Sequence, residues 1–249
     1  MGSSKPTILC LHGGGTNSII FSVQLARLLR ILYPYYNFIY ADGPVPALPG
    51  PDVLPVFEGC GPYLRWVTPA SIEEGVRTSA TRAAEERAID AVLAKAVEGH
   101  QGAIVGVMGF SAGAALATDL LLRKQARAEG GVVVDDADHD GNGNGNGNGA
   151  DRAWRDLEFG ILLNGVPSSW RGTGEGPRIR FPTVHVHGLE DPWLESSRVL
   201  LGDCFVQDVA KVMEFEGGHH LPNTGPDNER LKKLVLEAAR KGSSGREIE

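Results

Sequence analysis

Six short apolar segments constrain this chain more than any other feature. They fall at residues 7–11, 37–41, 103–108, 158–163, 183–186 and 212–215, each hydrophobic almost throughout and followed by glycine or another turn former. A strand with one face in water alternates polar and apolar residues. Near-continuous apolar runs suit strands covered on both faces, the condition inside a parallel sheet. Helical spacing fills most of the gaps, at residues 22–32, 73–97, 112–127 and 228–241. Alternation of strand and helix predicts an α/β fold with a doubly wound, mostly parallel sheet of about six strands. The 249 residues suit a single domain with insertions.

Two segments interrupt the alternation. Residues 43–69 hold seven prolines together with Phe57, Tyr63 and Trp66, and are predicted to form a cap-like surface excursion near the carboxyl ends of the strands. Residues 129–152 include a run of Gly-Asn repeats from Gly141 to Gly149. Such a composition buries too little apolar surface to offset its ordering entropy, so a disordered insertion is expected. Asp136, Asp138 and Asp140 begin like a calcium-binding loop, but the twelfth position is Gly147, where a bidentate glutamate is needed. The final residues, 242–249, read as a flexible tail.

The net charge of −7 is local in origin. Six acids and no Lys or Arg lie between Glu129 and Asp151, which leaves 25 acids against 24 bases elsewhere. The body therefore carries no basic stripe for nucleic acid. No apolar run approaches the length of a membrane span, and no secretory h-region precedes the first strand. Cys10, Cys60 and Cys204 show neither metal-ligand spacing nor an even disulfide set, which points to a reducing, cytoplasmic location.

Chemistry concentrates at Gly109-Phe110-Ser111-Ala112-Gly113, directly after the third apolar run. A G-x-S-x-G sequence between a buried strand and a helix makes a sharp turn that lifts a serine hydroxyl above the sheet edge. Serine is a poor nucleophile without a base and an oriented acid. Both follow in the chain. Asp191, with Glu190 as the weaker alternative, stands on the loop after the fifth run. His219, with His220 as competitor, stands on the loop after the sixth. Asp191 before Pro192 would also suit a helix cap. An oxyanion hole is predicted from the backbone N–H of Ala112 and that of Gly14, with Gly15 as the alternative, in the loop Leu11-His12-Gly13-Gly14-Gly15-Thr16-Asn17. Trp193 and Leu194, with Phe57, Tyr63 and Trp66, are candidate walls of an acyl pocket. His12, His185 and His187 are read as core or loop-anchoring residues. No metal site and no cofactor are expected.

These segments resemble the fungal serine hydrolases of the FSH type, a branch of the α/β-hydrolases. The resemblance is carried by Leu11–Asn17 with Ile20, Phe21 and Gln24, by Gly109–Ala115, by His187-Gly188 with Asp191-Pro192, and by Gly217-Gly218-His219 with Pro222. It spans roughly residues 6–240, and its G-G-H-x-x-P pattern favours His219 over His220. The Gly15-Thr16-Asn17 version of the first loop further resembles members in fungal polyketide gene clusters, which act as esterases or thioesterases. The resemblance thus implies a small-molecule acyl ester or thioester as substrate and an acyl-carrier protein of a polyketide synthase as a possible partner. A hydrolase fold can also host aldol or lyase chemistry with histidine as base, or persist as a non-catalytic binding module. Here no member of the Ser-His-Asp set is missing.

Overall fold

The computed structural model describes residues 5–68, 78–130, 149–167 and 176–244. The acidic Gly-Asn repeats, the first residues of the 73–97 helical stretch and the end of the tail lie outside them. The six predicted strands are present as β1 (Thr7–Leu11), β2 (Asn37–Ala41), β5 (Ile104–Phe110), β6 (Phe159–Leu163), β7 (Thr183–Gly188) and β8 (Ala210–Phe215). They form one sheet in the order β2-β1-β5-β6-β7-β8, and every pair is parallel. The two remaining strands, β3 (Val45–Pro46) and β4 (Leu64–Arg65), form a small antiparallel hairpin.

Alternation along the strands divides the interior into two cores. Leu9, Leu11, Val107 and Leu162 point to one face. There they meet α3 (Ser79–Val97), α4 (Ala112–Ala128) and α5 (Leu194–Cys204). Ile8, Cys10, Met108, Phe110, Ile161 and Leu163 point to the other. That face is covered by α1 (Ser18–Gln24), α2 (Ala26–Leu32) and α6 (Gly225–Ser243). Covering both faces removes the need for polar residues in the central strands. β8, at the edge, departs from that pattern, and its Val212 is exposed.

Two expectations shift. The stretch 22–32 is two helices, beginning four residues earlier where Asn17 caps α1 by accepting the Ile20 N–H. Helix α6 continues through Ser243, so the tail begins later than position 242. The 43–69 excursion is fastened to the loop that follows β1. Gly15 N–H donates to Leu64 O (2.8 Å), Leu64 N–H to Thr16 O (2.8 Å) and Gly50 N–H to Gly15 O (3.0 Å). The Asn17 amide donates to Cys60 O and Pro62 O at 2.8 and 2.9 Å.

The chain runs from β1 outward to β2 and returns across β1 to β5. Strand order therefore reverses between β1 and β5, which opens a crevice at their carboxyl ends. The Gly13–Gly15 loop and the Ser111 turn face each other across it.

Candidate active site

Ser111 sits between β5 and α4 with φ +52° and ψ −119°, a conformation that a non-glycine residue rarely adopts. The surroundings impose it. Ser111 N–H donates to Leu163 O (2.9 Å), and Ser111 O accepts from Ala114 N–H (2.9 Å) to start the helix. The flanking glycines permit the crossing. A Cβ on Gly109 would lie 2.2 Å from Gly113 O, and one on Gly113 would lie 2.1 Å from Leu11 O. Ala112 is the first residue of α4, so its N–H has no intrahelical acceptor and points with the positive end of the helix dipole.

Across the crevice, an ideal Cβ on Gly14 would have only the Ala112 Cβ near it, at 3.8 Å. The two residues thus face one another with room between them. Gly15 is placed differently: its N–H is engaged by Leu64 O, and its φ of +73° brings it against Gly50. Of the two glycine donors considered, Gly14 is the one whose N–H has no acceptor among the described residues.

His12 braces this loop from below. Gly43 N–H donates to His12 Nε2 (2.9 Å), so the ring proton sits on Nδ1, which donates to Gly13 O (2.8 Å). Burial holds the ring below its usual pKa and keeps it neutral. Trp66 stacks on His12, with ring centroids 4.8 Å apart, and its indole N–H donates to His12 O (2.8 Å). Trp66 is 2% exposed. It is a support of the Gly13–Gly15 loop and not a pocket wall, because the β3–β4 hairpin turns it inward. Tyr63 and Phe57 are half-buried and joined by a Tyr63 hydroxyl bond to Phe57 O (2.7 Å).

At the other side, His219 Nδ1 and Asp191 Oδ2 are 2.7 Å apart. The side chains are 9% and 1% exposed, so water competes little for that bond. Asp191 Oδ1 accepts the Trp193 N–H (2.7 Å) and Asp191 O the Leu194 N–H (3.0 Å). One carboxylate therefore both fixes the turn that leads into α5 and binds the imidazole. His220 is turned away: its Nε2 accepts the Gly218 N–H (3.3 Å) and its Nδ1 donates to Leu221 O (2.9 Å). Glu190 is exposed. Of the alternatives weighed for acid and base, the structure pairs Asp191 with His219.

The imidazole of His219 lies against Phe110, the residue before Ser111, with centroids 4.9 Å apart. Trp193, partly exposed, packs edge-on against its other side at 4.6 Å. Leu194 is half-buried at the start of α5. The loops bearing Ser111 and His219 thus meet, while Ser111 Oγ has no hydrogen-bond partner among the described residues. Catalytic hydrogen bonds are commonly loose without substrate and tighten when it binds.

His185 and His187 belong to the core. His185 Nε2 is 3.1 Å from Thr183 Oγ1, and its ring is edge-on to Phe205. Among the described residues no group of three or more His, Cys, Asp or Glu side chains is arranged to hold a metal ion. Likewise, no helix of the described residues is long and apolar enough to cross a membrane.

Sequence reasoning overlooked two elements of the site. Helix α5 was hidden because Ser197 occupies its buried face, although Leu194, Leu200, Leu201 and Cys204 keep the helical period. Asn164, after β6, carried only the signal of an Asn-Gly turn.

Comparison with known proteins follows the same lines. Residues 1–231 match the family described as serine hydrolase (FSH1). An esterase of Gibberella moniliformis, FUS5, is 32% identical over 231 residues, covering 93% of this chain and 86% of its own. The thioesterase FSL2 of Gibberella zeae is 32% identical over 236 residues, covering 93% and 91%. Among solved structures, a Bacillus cereus carboxylesterase superposes with a TM-score of 0.54 at 18% identity, over 95% of this chain and 90% of that one. That likeness concerns the fold, an α/β-hydrolase architecture. The chain belongs to the serine hydrolase (FSH1) family.

Proposed function

We propose that the chain hydrolyses an acyl ester or thioester through an acyl-enzyme on Ser111, with His219 as general base and Asp191 as its orienting acid. The observation that carries this reading is the 2.7 Å bond between His219 Nδ1 and a buried Asp191 carboxylate, held against the strained Ser111 turn. With its Nδ1–H donated in a hydrogen bond to Asp191, the imidazole keeps a lone pair on Nε2 to take the serine proton. Ser111 Oγ attacks the carbonyl carbon, and the oxyanion is received by the N–H groups of Ala112 and Gly14. Each such donor is typically worth about 3–4 kcal/mol in the transition state. His219 then returns the proton to the departing alcohol or thiol. Water, activated by the same imidazole, adds to the acyl-enzyme and releases the acid and the free serine.

No step calls for a metal or cofactor, since a thiol or activated alcohol leaves without further polarisation. The names of the relatives, an esterase and a thioesterase, support a small-molecule acyl substrate. The polyketide setting and a carrier-protein partner rest on the family resemblance. The test is intact-mass analysis after mixing with short-chain acyl thioesters. An acyl adduct on the parent and none on Ser111→Ala is expected, with turnover reduced by at least roughly 10³-fold in the variant. Turnover that survives Ser111→Ala would replace this reading with histidine-base chemistry.

A further inference from the structure

The order of the strands sets a problem for His219. Its loop leaves β8, yet it must reach Ser111 at the end of β5, three strands away, a span of about 14 Å. The loop must therefore double back over the ends of β7 and β6. At the end of β6, beneath that path, stands Asn164. It is 1% exposed and adopts φ +44°, a left-handed conformation that asparagine tolerates better than other non-glycine residues.

The N–H, Oδ1 and Nδ2 of Asn164 each reach across to a neighbouring strand or loop. Its N–H donates to Val186 O in β7 (2.8 Å). Its Oδ1 accepts the Gly188 N–H (2.9 Å), three residues before Asp191. Its Nδ2 donates to His220 O (2.8 Å) and lies 3.5 Å from Gly218 O, the carbonyls on either side of His219. One residue earlier, Leu163 O accepts the Ser111 N–H.

We propose that Asn164 is a positioning residue whose carboxamide locks the Asp191 loop to the His219 loop and so sets the imidazole over Ser111. The inference rests on the Ser111–His219–Asp191 reading. Only a carboxamide meets the requirement, because one end must accept from an N–H while the other donates to two carbonyls. A carboxylate would serve Gly188 but oppose both carbonyls. Glycine would suit the dihedral angle and leave the loops untied. A strained residue of this kind persists where its surroundings over-determine it.

The test compares Asn164→Gly, which keeps the backbone conformation, with Asn164→Asp, which keeps the shape. For hydrolysis of p-nitrophenyl butyrate, kcat is expected to fall roughly tenfold to a hundredfold in both, the scale of a misplaced catalytic group. KM should stay within about twofold, since ground-state binding is untouched. The low-field proton resonance of the His219–Asp191 hydrogen bond should broaden or vanish in the variants. A purely structural role would lower the melting temperature while leaving kcat and that resonance as in the parent, and that result overturns the proposal. Should Asn164→Gly not fold, Asn164→Asp with parental kcat overturns it equally. Ser111→Ala and His219→Ala run beside them: if these retain turnover, the triad reading has failed, whereas the resonance still reports on the clamp.

Discussion

Adjacent glycines in the first loop serve different ends, and a single methyl group distinguishes them. At Gly15 the chain adopts φ +73°, and a Cβ would meet Gly50 N at 2.2 Å and Leu48 O at 2.8 Å. Gly15→Ala is expected to cost at least about 2 kcal/mol, from the left-handed backbone and the displaced 48–50 segment together. At Gly14 the same methyl finds only the Ala112 Cβ, at 3.8 Å. Gly14→Ala should therefore unfold in urea within about 1 kcal/mol of the parent. Its activity should nonetheless fall, because the methyl projects toward Ala112, into the gap where the oxyanion is to be received. Urea midpoints and kcat for a p-nitrophenyl ester, measured on both variants, check this. Equal loss of stability in the two would contradict the contrast. The string Gly13-Gly14-Gly15 was legible as a loop exposing backbone N–H groups. The sequence favours Gly14 as donor, but the contact that engages Gly15 instead is not legible there, since it comes from Leu64, nearly fifty residues away in the chain.

At the scale of elements, the proposed catalytic acid and the turn before α5 share one carboxylate. Asp191→Asn keeps an oxygen for the Trp193 N–H but turns an amide toward the imidazole, which favours the wrong tautomer of His219. Activity should drop by roughly 10³- to 10⁴-fold with little change in stability. Asp191→Ala should lose the activity and also about 1 kcal/mol from the lost Trp193 N–H bond in the turn before α5. Comparing kcat and thermal unfolding for the two separates the roles, and a fully active Asn variant would remove Asp191 from the mechanism. As a sequence, Asp191-Pro192 suits either a helix cap or a catalytic acid. In the structure one carboxylate oxygen meets the imidazole and the other the Trp193 N–H, in the turn before α5 rather than as a cap of the helix itself. The strands themselves were legible to within two residues at either end, because apolar runs between turn formers have few other solutions in a chain this long. The inward turn of Trp66 was not legible. Nothing local to a proline-rich segment tells which of its aromatics will stack on a histidine fifty residues upstream.

For the molecule as a whole, the doubly covered sheet is foreshadowed by the near-continuous apolar runs of its strands. The same covering has an electrostatic consequence that the pattern of apolar residues conceals. His185 is carried on β7 into the core, where burial and the neighbouring His187 lower its pKa from the usual 6.5 to about 3. His12 and His187 are lowered as well, chiefly by burial. The folded protein holds these rings neutral, while the unfolded chain protonates them near their usual value. Between pH 6.5 and about 3 the unfolded state therefore binds more protons, and lowering the pH favours unfolding. Above that window the stability is fully present, and on acidification it declines, with His185 alone contributing a slope approaching 1.4 kcal/mol per pH unit at about that order. Between pH 7 and pH 5 the His185 share amounts to about 2 kcal/mol. His185→Phe removes the titrating ring while keeping an aromatic against Phe205, at the cost of an unpartnered Thr183 hydroxyl. Its stability at pH 7 will differ from the parent for that packing reason alone, so the informative quantity is the difference between the two pH values. Urea unfolding of parent and variant at pH 7 and pH 5 should show that difference smaller in the variant by about 2 kcal/mol. An identical pH dependence in the two proteins would mean that His185 is protonated, or solvated, in the folded state, and that the β7 core is less closed than its packing implies.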